Sequence, residues 1–130
     1  MRRIVLPLSF AVLVSTASLF GHHAASTAYD TDKKITLRGT VTKLEWQNPH
    51  VFYYLDVADD SGKVTNWAVE ASTPNQLYRR GWRKEDLKIG ETVTLADSSP
   101  ARNGSPRAYG GTLTLAGGRK VFSGSAATDQ

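Results

Sequence analysis

Glu45-Trp46-Gln47-Asn48-Pro49-His50 separates two runs of strand-forming residues, 35–44 and 51–57. Pro49 has no backbone N–H to donate to a neighbouring strand, and it keeps Asn48 out of the helical region. The stretch therefore predicts a corner between two β-strands. This corner holds one of the three tryptophans and the only histidine outside the N-terminal region. It is either a rigid turn or one wall of a binding site.

The strand that leads into the corner changes its apolar face partway along. Apolar residues alternate on one face up to Val41 and on the other face from Leu44. Such a change predicts a β-bulge near Thr42 and Lys43, which coils the strand strongly. A coiled strand of this kind can pair with neighbouring strands in two sheets at once.

The remaining chain alternates in short runs separated by turn-forming residues. Thr73 followed by Pro74 is typical of the start of a helix, and Gly81 of its end. The pattern predicts a two-turn helix over residues 75–80, a loop over 98–106 and further strands over 64–71, 91–97, 107–116 and 119–122.

This order of elements predicts an all-β fold. Three meandering strands, a short helix between strands three and four, and a closing hairpin match a small OB-fold-like Greek-key barrel of five to six strands. An open sandwich of the same strands is the alternative. OB-folds bind ligands on the face of strands two and three, flanked by the loops between strands one and two and between strands four and five. We expect those loops, 46–50 and 99–106, to lie at the same end, bringing Asn48 and His50 near Arg102 and Asn103.

The first 21 residues have the pattern of a secretory signal peptide. A short basic start is followed by an apolar run too short to span a bilayer and then by small residues, which predicts cleavage after Ala17 or Gly21. A buried N-terminal helix would need an amphipathic spacing that this segment lacks. We therefore expect a periplasmic protein with no membrane span after cleavage, a barrel domain with an extended N-terminal arm over 22–122, and a disordered tail over 123–130.

Composition excludes several kinds of site. Cysteine is absent, which excludes disulfides, thiolate metal sites and a cysteine nucleophile. Removing Arg2 and Arg3 with the leader lowers the formal net charge from +4 to about +2. The remaining basic residues are scattered among acids, so we expect no nucleic-acid partner.

Three histidines are the best candidates for a metal site. His22, His23 and His50 could bind copper or zinc, with a carboxylate such as Glu70 completing the set. Cleavage after Gly21 would add the free amine of His22 as a ligand, whereas cleavage after Ala17 would leave His22 internal. The alternative is a mobile arm and a hydrogen-bonded corner residue. Apart from copper or zinc, we expect no cofactor.

Candidate ligand-binding residues lie at the corner, on the third strand and in the loop over 98–106. Trp46 and Trp67 could stack on a ligand, although aromatic residues in strands more often pack in the core. Arg102 and Asn103, with Arg107, could bind an anion or simply be solvated. The predicted ligand-binding set is Trp46, Asn48, His50, Trp67, Glu70, Arg102 and Asn103. Nothing in the sequence nominates a catalytic nucleophile, so we expect no enzymatic activity.

Short motifs extend from His22-His23 and Tyr29-Asp30 through the corner to Gly118-Arg119. On these motifs, nearly the whole chain after the leader resembles a family of small exported bacterial proteins known only as a domain of unknown function. The Asn-Pro-His corner is the most specific part of this resemblance. The resemblance implies a periplasmic single-domain barrel and no particular activity. The sequence thus predicts a non-enzymatic module that binds a small ligand or a periplasmic protein. The matching residues are His22-His23, Tyr29-Asp30, Gly39-Thr40-Val41, Glu45-Trp46-Gln47-Asn48-Pro49-His50, Trp67-Ala68-Val69-Glu70, Leu77, Arg80-Gly81-Trp82, Gly90, Pro100-Ala101-Arg102-Asn103-Gly104-Ser105 and Gly118-Arg119.

Overall fold

The structure, a computed structural model, describes residues 25–124, of which residues 25–28 are helical. Seven strands and one short helix, α1, follow, with a single turn of 3-10 helix at Lys84–Asp86. The bounds are β1 (Ile35–Glu45), β2 (Phe52–Ala58), β3 (Val64–Glu70), α1 (Pro74–Arg79), β4 (Thr92–Pro100), β5 (Arg107–Tyr109), β6 (Gly111–Thr114) and β7 (Lys120–Gly124).

Five of the strands close into a barrel. β1 pairs with β2 along one edge and with β4 along the other, so the strand order returns to its start as β1-β2-β3-β5-β4-β1. All of these pairings are antiparallel except that of β3 with β5. The closed ring confirms the predicted small all-β barrel and excludes the open sandwich. β6 and β7 extend the sheet beyond β4.

β1 can pair with both neighbours because it is strongly coiled. Its register against β2 shifts between Val41 and Lys43, which places the extra residue at Thr42 and confirms the predicted bulge. Gly39 lies where the backbones of β1 and β2 approach closely. A Cβ at this position would lie 2.5 Å from the carbonyl oxygen of Asp56.

β5 and β6 form one bent strand. Tyr109 pairs with Ser99 and Leu113 pairs with Leu95, so both segments follow the same antiparallel register on β4. Gly110 and Gly111 form the bend, with φ angles of 63° and 97°. The sequence predicted a single strand over 107–116. Two successive left-handed glycines instead turn it from β3 towards β7.

The core fills the barrel and includes residues of the segment after β3. Val51, Leu55 and Trp82 are fully buried, and the rings of Trp82 and Tyr53 form a T-shaped pair with centroids 5.8 Å apart. Helix α1 begins as predicted, because the Thr73 side chain accepts a hydrogen bond from the N–H of Gln76 and Pro74 occupies the first turn.

Three predicted boundaries are wrong. Ser98 belongs to β4 rather than to a loop, because its hydroxyl is buried and donates to the carbonyl of Tyr109. Ser123 belongs to β7 rather than to the tail, because its hydroxyl lies 3.0 Å from the buried Tyr53 hydroxyl. The predicted extended arm is helical over 25–28 and then joins the barrel at Tyr29, which forms a bridge with Ala101. The predicted leader lies outside the described residues.

Between residues 25 and 124, no helix combines the length and the apolar character needed to cross a membrane.

Candidate functional site

The outward-pointing side chains of β2, β3 and β5 form a surface that we call the outer face. Residues directly opposite each other in a sheet point to the same side. Glu70 lies opposite Phe52 on β2 and Tyr109 on β5, whereas its neighbour Val69 points into the core. The outer face therefore presents a carboxylate between two aromatic residues.

His50 contacts this carboxylate from the corner before β2. Its Nδ1 lies 2.6 Å from Glu70 Oε1, and the two side chains are 31% and 16% exposed. The backbone of the next residue, Val51, accepts a hydrogen bond from the N–H of Ala71 at 2.8 Å and donates one to the carbonyl of Ser72. These bonds fix the corner beside the end of β3. The Asn48–Pro49 peptide bond in the corner is cis.

Tyr29 contacts the same carboxylate from the N-terminal segment. Its hydroxyl donates to Glu70 Oε2 at 2.7 Å, and the residue is only 2% exposed. Its ring packs on Tyr109 with centroids 5.4 Å apart, and its backbone forms a bridge with Ala101. Both carboxylate oxygens of Glu70 are therefore bound, and we call this arrangement the His50–Glu70–Tyr29 row.

The row holds a negative charge in a half-buried position. Burial raises the pKa of Glu70, but hydrogen bonds from His50 and Tyr29, with the charges of His50 and Arg107, outweigh it and bring the pKa below its usual value. Burial and the Glu70 carboxylate raise the pKa of the Tyr29 hydroxyl, and Arg107 partly offsets this rise. Glu70 is therefore ionised and Tyr29 neutral at physiological pH.

A second group of residues on the outer face surrounds Tyr54. The Tyr54 hydroxyl donates to Glu45 Oε2 at 2.9 Å, and the Lys43 ammonium lies 5.2 Å from the centre of the Tyr54 ring. Tyr54 and Arg107 both lie opposite Ala68, one on each side of β3. Because the side chain of Ala68 is small, the surface has a shallow depression between the Tyr54 ring and the Arg107 guanidinium group.

The loop over residues 101–106 lies against the helical turn 25–28. The N–H of Arg102 donates to the carbonyl of Ala28 at 3.0 Å, and its Nε donates to the carbonyl of Ser26 at 3.1 Å. Between loop and turn is a cavity of about 240 Å³. It is lined by Thr27, Ala28, Tyr29, Ala101, Arg102, Asn103, Ser105 and Arg107.

The two predicted ligand loops are not at the same end of the barrel, so that prediction is wrong. Because β4 runs antiparallel to β1, the loop that follows β4 lies at the opposite end from the corner that follows β1. They flank the outer face from its two ends. The corner residues Asn48 and His50 do not line the cavity of Arg102 and Asn103. Tyr29 supplies the connection, since it contacts both Glu70 and Ala101.

The two candidate stacking tryptophans lie away from the row. Trp46 packs its ring edge on Trp82 with centroids 6.0 Å apart, at the border of the core. Trp67 lies opposite Leu55 on the inward side of β3 and lines a second cavity, of about 390 Å³, with Leu37 and Pro106. Asn48 is exposed at the corner. Of the predicted ligand residues, His50 and Glu70 are in direct contact, and Arg102 and Asn103 line one cavity.

The predicted metal ligands His22 and His23 lie outside the described residues. Within residues 25–124, the histidines and carboxylates form no cluster of three or more that could hold a metal ion. His50 contacts one carboxylate, Glu70, through Nδ1.

Sequence reasoning missed the part that Tyr29 plays in the row. The signal was present as a single large aromatic residue in an otherwise small and polar segment before β1. An aromatic side chain there needs a place to be buried, and the ring of Tyr109 provides it. The partner could not be identified because it follows 80 residues later in the chain.

Comparison with known proteins gives a family but no activity. A model described as "Family of unknown function (DUF6152)" matches residues 11–110. No curated protein matches the chain.

Proposed function

The chain belongs to DUF6152, a family of unknown function, and we propose that it is an exported, non-enzymatic binding module whose outer face contacts a small ligand or a periplasmic partner protein. The observation that carries this proposal is the His50–Glu70–Tyr29 row. It places a half-buried carboxylate with two fixed donors on the side of an OB-like barrel that binds ligands in other proteins of this fold. Half-buried charged groups held rigidly on a barrel give a surface with defined polarity.

The proposal of a non-enzymatic role rests on how Glu70 is bonded. A general acid needs a proton to give, and the lowered pKa of Glu70 keeps the carboxylate ionised. A general base needs a lone pair directed at the substrate, and each oxygen of Glu70 already directs one of its lone pairs at a protein donor, the Tyr29 hydroxyl or His50 Nδ1. Glu70 is therefore suited to holding Tyr29 and His50 in place.

Export is proposed from the sequence of the leader. Its basic start, apolar run and small residues fit a signal peptide, and the absence of cysteine is compatible with an oxidising compartment. The mass of the mature protein recovered from a bacterial periplasm measures the cleavage site. A mass that retains residues 1–17 would contradict export by a cleaved leader.

A photo-crosslinking residue at position 54 tests for a protein partner. Tyr54 lies on the outer face, whereas Lys120, on β7, lies outside the five-stranded ring and serves as the matched control position. We expect irradiation of cells to give a discrete adduct from position 54 and none from position 120.

Amide chemical-shift mapping tests for a small ligand. Amino acids, dicarboxylates, nucleosides and monosaccharides are titrated separately into labelled mature protein. Shifts that cluster at residues 29, 50–52, 68–70 and 101–109 support the proposal. Absence of an adduct at position 54, together with shifts elsewhere or none, would overturn it.

A second candidate function is binding of copper or zinc through His22, His23 and His50. One observation favours it: Nδ1 of His50 donates to the ionised carboxylate of Glu70. Histidine ligands of metals are commonly oriented by such a carboxylate. His23 precedes Tyr29 by only six residues, and Tyr29 is bonded to that same carboxylate.

Calorimetry with Cu(II) and Zn(II) on processed protein tests the metal hypothesis. We expect the affinity for the metal to fall at least about tenfold in His50→Ala and in His22→Ala. Glu70→Gln should cause a smaller loss, because Glu70 orients His50 without touching the metal. Equal affinity in wild type and both histidine variants would exclude this site.

A further inference from the structure

We propose that the cavity between the helical turn 25–28 and the loop 101–106 binds a small oxyanion, a carboxylate or a phosphate group. The inference deepens the proposed function, because this cavity borders the outer face at Tyr29 and Arg107. It assigns a ligand chemistry to one part of that face.

The lining of the cavity is rich in hydrogen-bond donors. Arg102 and Arg107 contribute two guanidinium groups, and Asn103 adds an amide. The Ser105 Oγ is buried and has no hydrogen-bond partner within residues 25–124. A buried hydroxyl without a partner costs free energy, so this atom points to a polar group that completes its bonding.

The loop over residues 101–106 is preorganised by its own hydrogen bonds. The N–H of Ser105 donates to the side-chain oxygen of Asn103 at 3.0 Å, and the N–H of Arg107 donates to the carbonyl of Ser105 at 2.7 Å. Arg102 is fixed at its backbone and at Nε by the helical turn. The entropy of ordering the loop is therefore lost on folding rather than on binding.

The neighbouring acids leave the guanidinium groups able to bind an anion. Arg102 Nη1 forms an ion pair with Asp30 Oδ1 at 3.8 Å, a distance longer than a hydrogen bond. The charge of Arg107 stabilises the Glu70 anion, and its side chain hydrogen-bonds Tyr29, while the short hydrogen bonds to the Glu70 oxygens come from His50 and Tyr29. A guanidinium has five N–H donors, so both arginines retain donors for a ligand.

The size of the cavity restricts the ligand. Pockets for drug-sized molecules usually measure about 300–1,000 Å³, and this one measures about 240 Å³. It accommodates an inorganic anion, a small dicarboxylate or the charged end of a larger molecule. Planar oxygen pairs and tetrahedral oxyanions both match the fork of an arginine side chain.

Titration of the mature protein with single anions tests the assignment. Inorganic phosphate, sulfate and succinate are added separately at constant ionic strength, and binding is followed by calorimetry and by the amide shifts of residues 101–107. We expect saturable binding by phosphate or succinate with shifts confined to the loop and the helical turn. The ratio of the two affinities identifies which oxyanion the cavity takes.

Variants separate specific binding from general charge attraction. Arg107→Gln removes one guanidinium, and Ser105→Ala removes the buried hydroxyl. Each should weaken binding about tenfold, the loss expected for a hydrogen bond to a charged group. Arg38→Gln, an exposed change on β1 outside the cavity, is the matched control and should leave affinity unchanged. Circular dichroism verifies folding of each variant.

Two outcomes would overturn the inference even if an anion binds. One is binding that does not saturate, and the other is an equal loss of affinity in Arg38→Gln and Arg107→Gln, which indicates attraction to the overall charge. If the cavity binds no anion while another ligand shifts residues 50–52 and 70, this inference fails and the proposed function stands. If neither region responds and position 54 gives no adduct, both fail.

Discussion

Glu70 is the residue through which three distant parts of the chain meet. The corner reaches it through His50, the N-terminal segment through Tyr29, and β5 through backbone pairing with Tyr109. A carboxylate that is 16% exposed needs such partners, because an unpaired charge in that position would cost several kcal/mol. Its environment therefore favours keeping the negative charge.

Replacing Glu70 by Gln should lower the free energy of unfolding by about 1–3 kcal/mol at neutral pH. The amide keeps the shape of the carboxylate but loses its charge-assisted hydrogen bonds. Urea unfolding measures the change. Glu45→Gln is the control, because Glu45 bonds Tyr54 and Lys43 at the exposed surface, and this change should have little effect. Equal effects of the two substitutions would contradict the structural role of Glu70.

The contribution of Glu70 should also depend on pH. Because its pKa is lower in the folded chain than the usual 4.5, the stabilisation is complete above that value and is lost as pH falls through the folded pKa. His50, Tyr29 and Arg107 are the groups that face it. Unfolding measured from about pH 5 down to about pH 3 should show a difference between wild type and Glu70→Gln that shrinks as the pH falls. A difference that grows on acidification would contradict the sign of the shift.

Tyr53→Phe should cost about 1–2 kcal/mol of stability. The Tyr53 hydroxyl is fully buried and lies 3.0 Å from Ser123 Oγ, so its removal leaves the serine hydroxyl without that partner in the core. Thermal unfolding measures the change. In the double variant Tyr53→Phe/Ser123→Ala, part of the loss should be recovered, because both polar groups are then absent. Additive losses would show that the two hydroxyls do not interact.

At the scale of elements, Gly111 determines the path of the last strands. Its φ of 97° disfavours any L side chain, and an added Cβ would lie 2.5 Å from the carbonyl oxygen of Ala96. Gly111→Ala should therefore destabilise by about 1–3 kcal/mol or more. Gly117→Ala is the matched control, since a Cβ there meets nothing within 4 Å, and it should be nearly neutral. Denaturant unfolding of both variants measures the difference, and comparable losses would be inconsistent with a specific role for the bend.

Elements defined by local chemistry were predictable from sequence. The bulge at Thr42 followed from a change of apolar face, and the helix start from Thr73 and Pro74. The extension of β4 through Ser98 was missed because serine and proline are typical of loops, whereas long-range pairing with Tyr109 makes this stretch a strand. The bend at Gly110 and Gly111 was missed because the alternating pattern continues through it, whereas both glycines adopt positive φ angles.

The candidate site was predictable only in part. His50 and Glu70 were identified as candidates from their residue types and positions, but their contact depends on the pairing of β2 with β3. The relative placement of the two loops was wrong because it requires the direction of β4 with respect to β1. Strand direction around a closed ring belongs to topology, and local patterns do not encode it.

At the scale of the whole molecule, a single core supports the closed barrel. Leu55 is fully buried at its centre, and Leu55→Ala should lower the free energy of unfolding by about 2–5 kcal/mol. Because Tyr53 and Trp82 belong to that core and Trp46 packs against it, tryptophan fluorescence and far-UV circular dichroism should report one coincident transition. Separate midpoints for the two probes would indicate that the barrel and the β6–β7 extension unfold independently.

Tyr29 also sets a practical limit on how this chain can be shortened or tagged. An expression boundary placed after Tyr29 would remove the ring that packs on Tyr109 and the hydroxyl that donates to Glu70 Oε2. Every strand of the barrel would still be present. Such a truncated protein would have an altered outer face even when it folds, so binding measured with it would not represent the intact chain. Fusion partners are better attached at the carboxyl terminus, beyond Gly124, so that Tyr29 keeps its contacts with Tyr109 and Glu70.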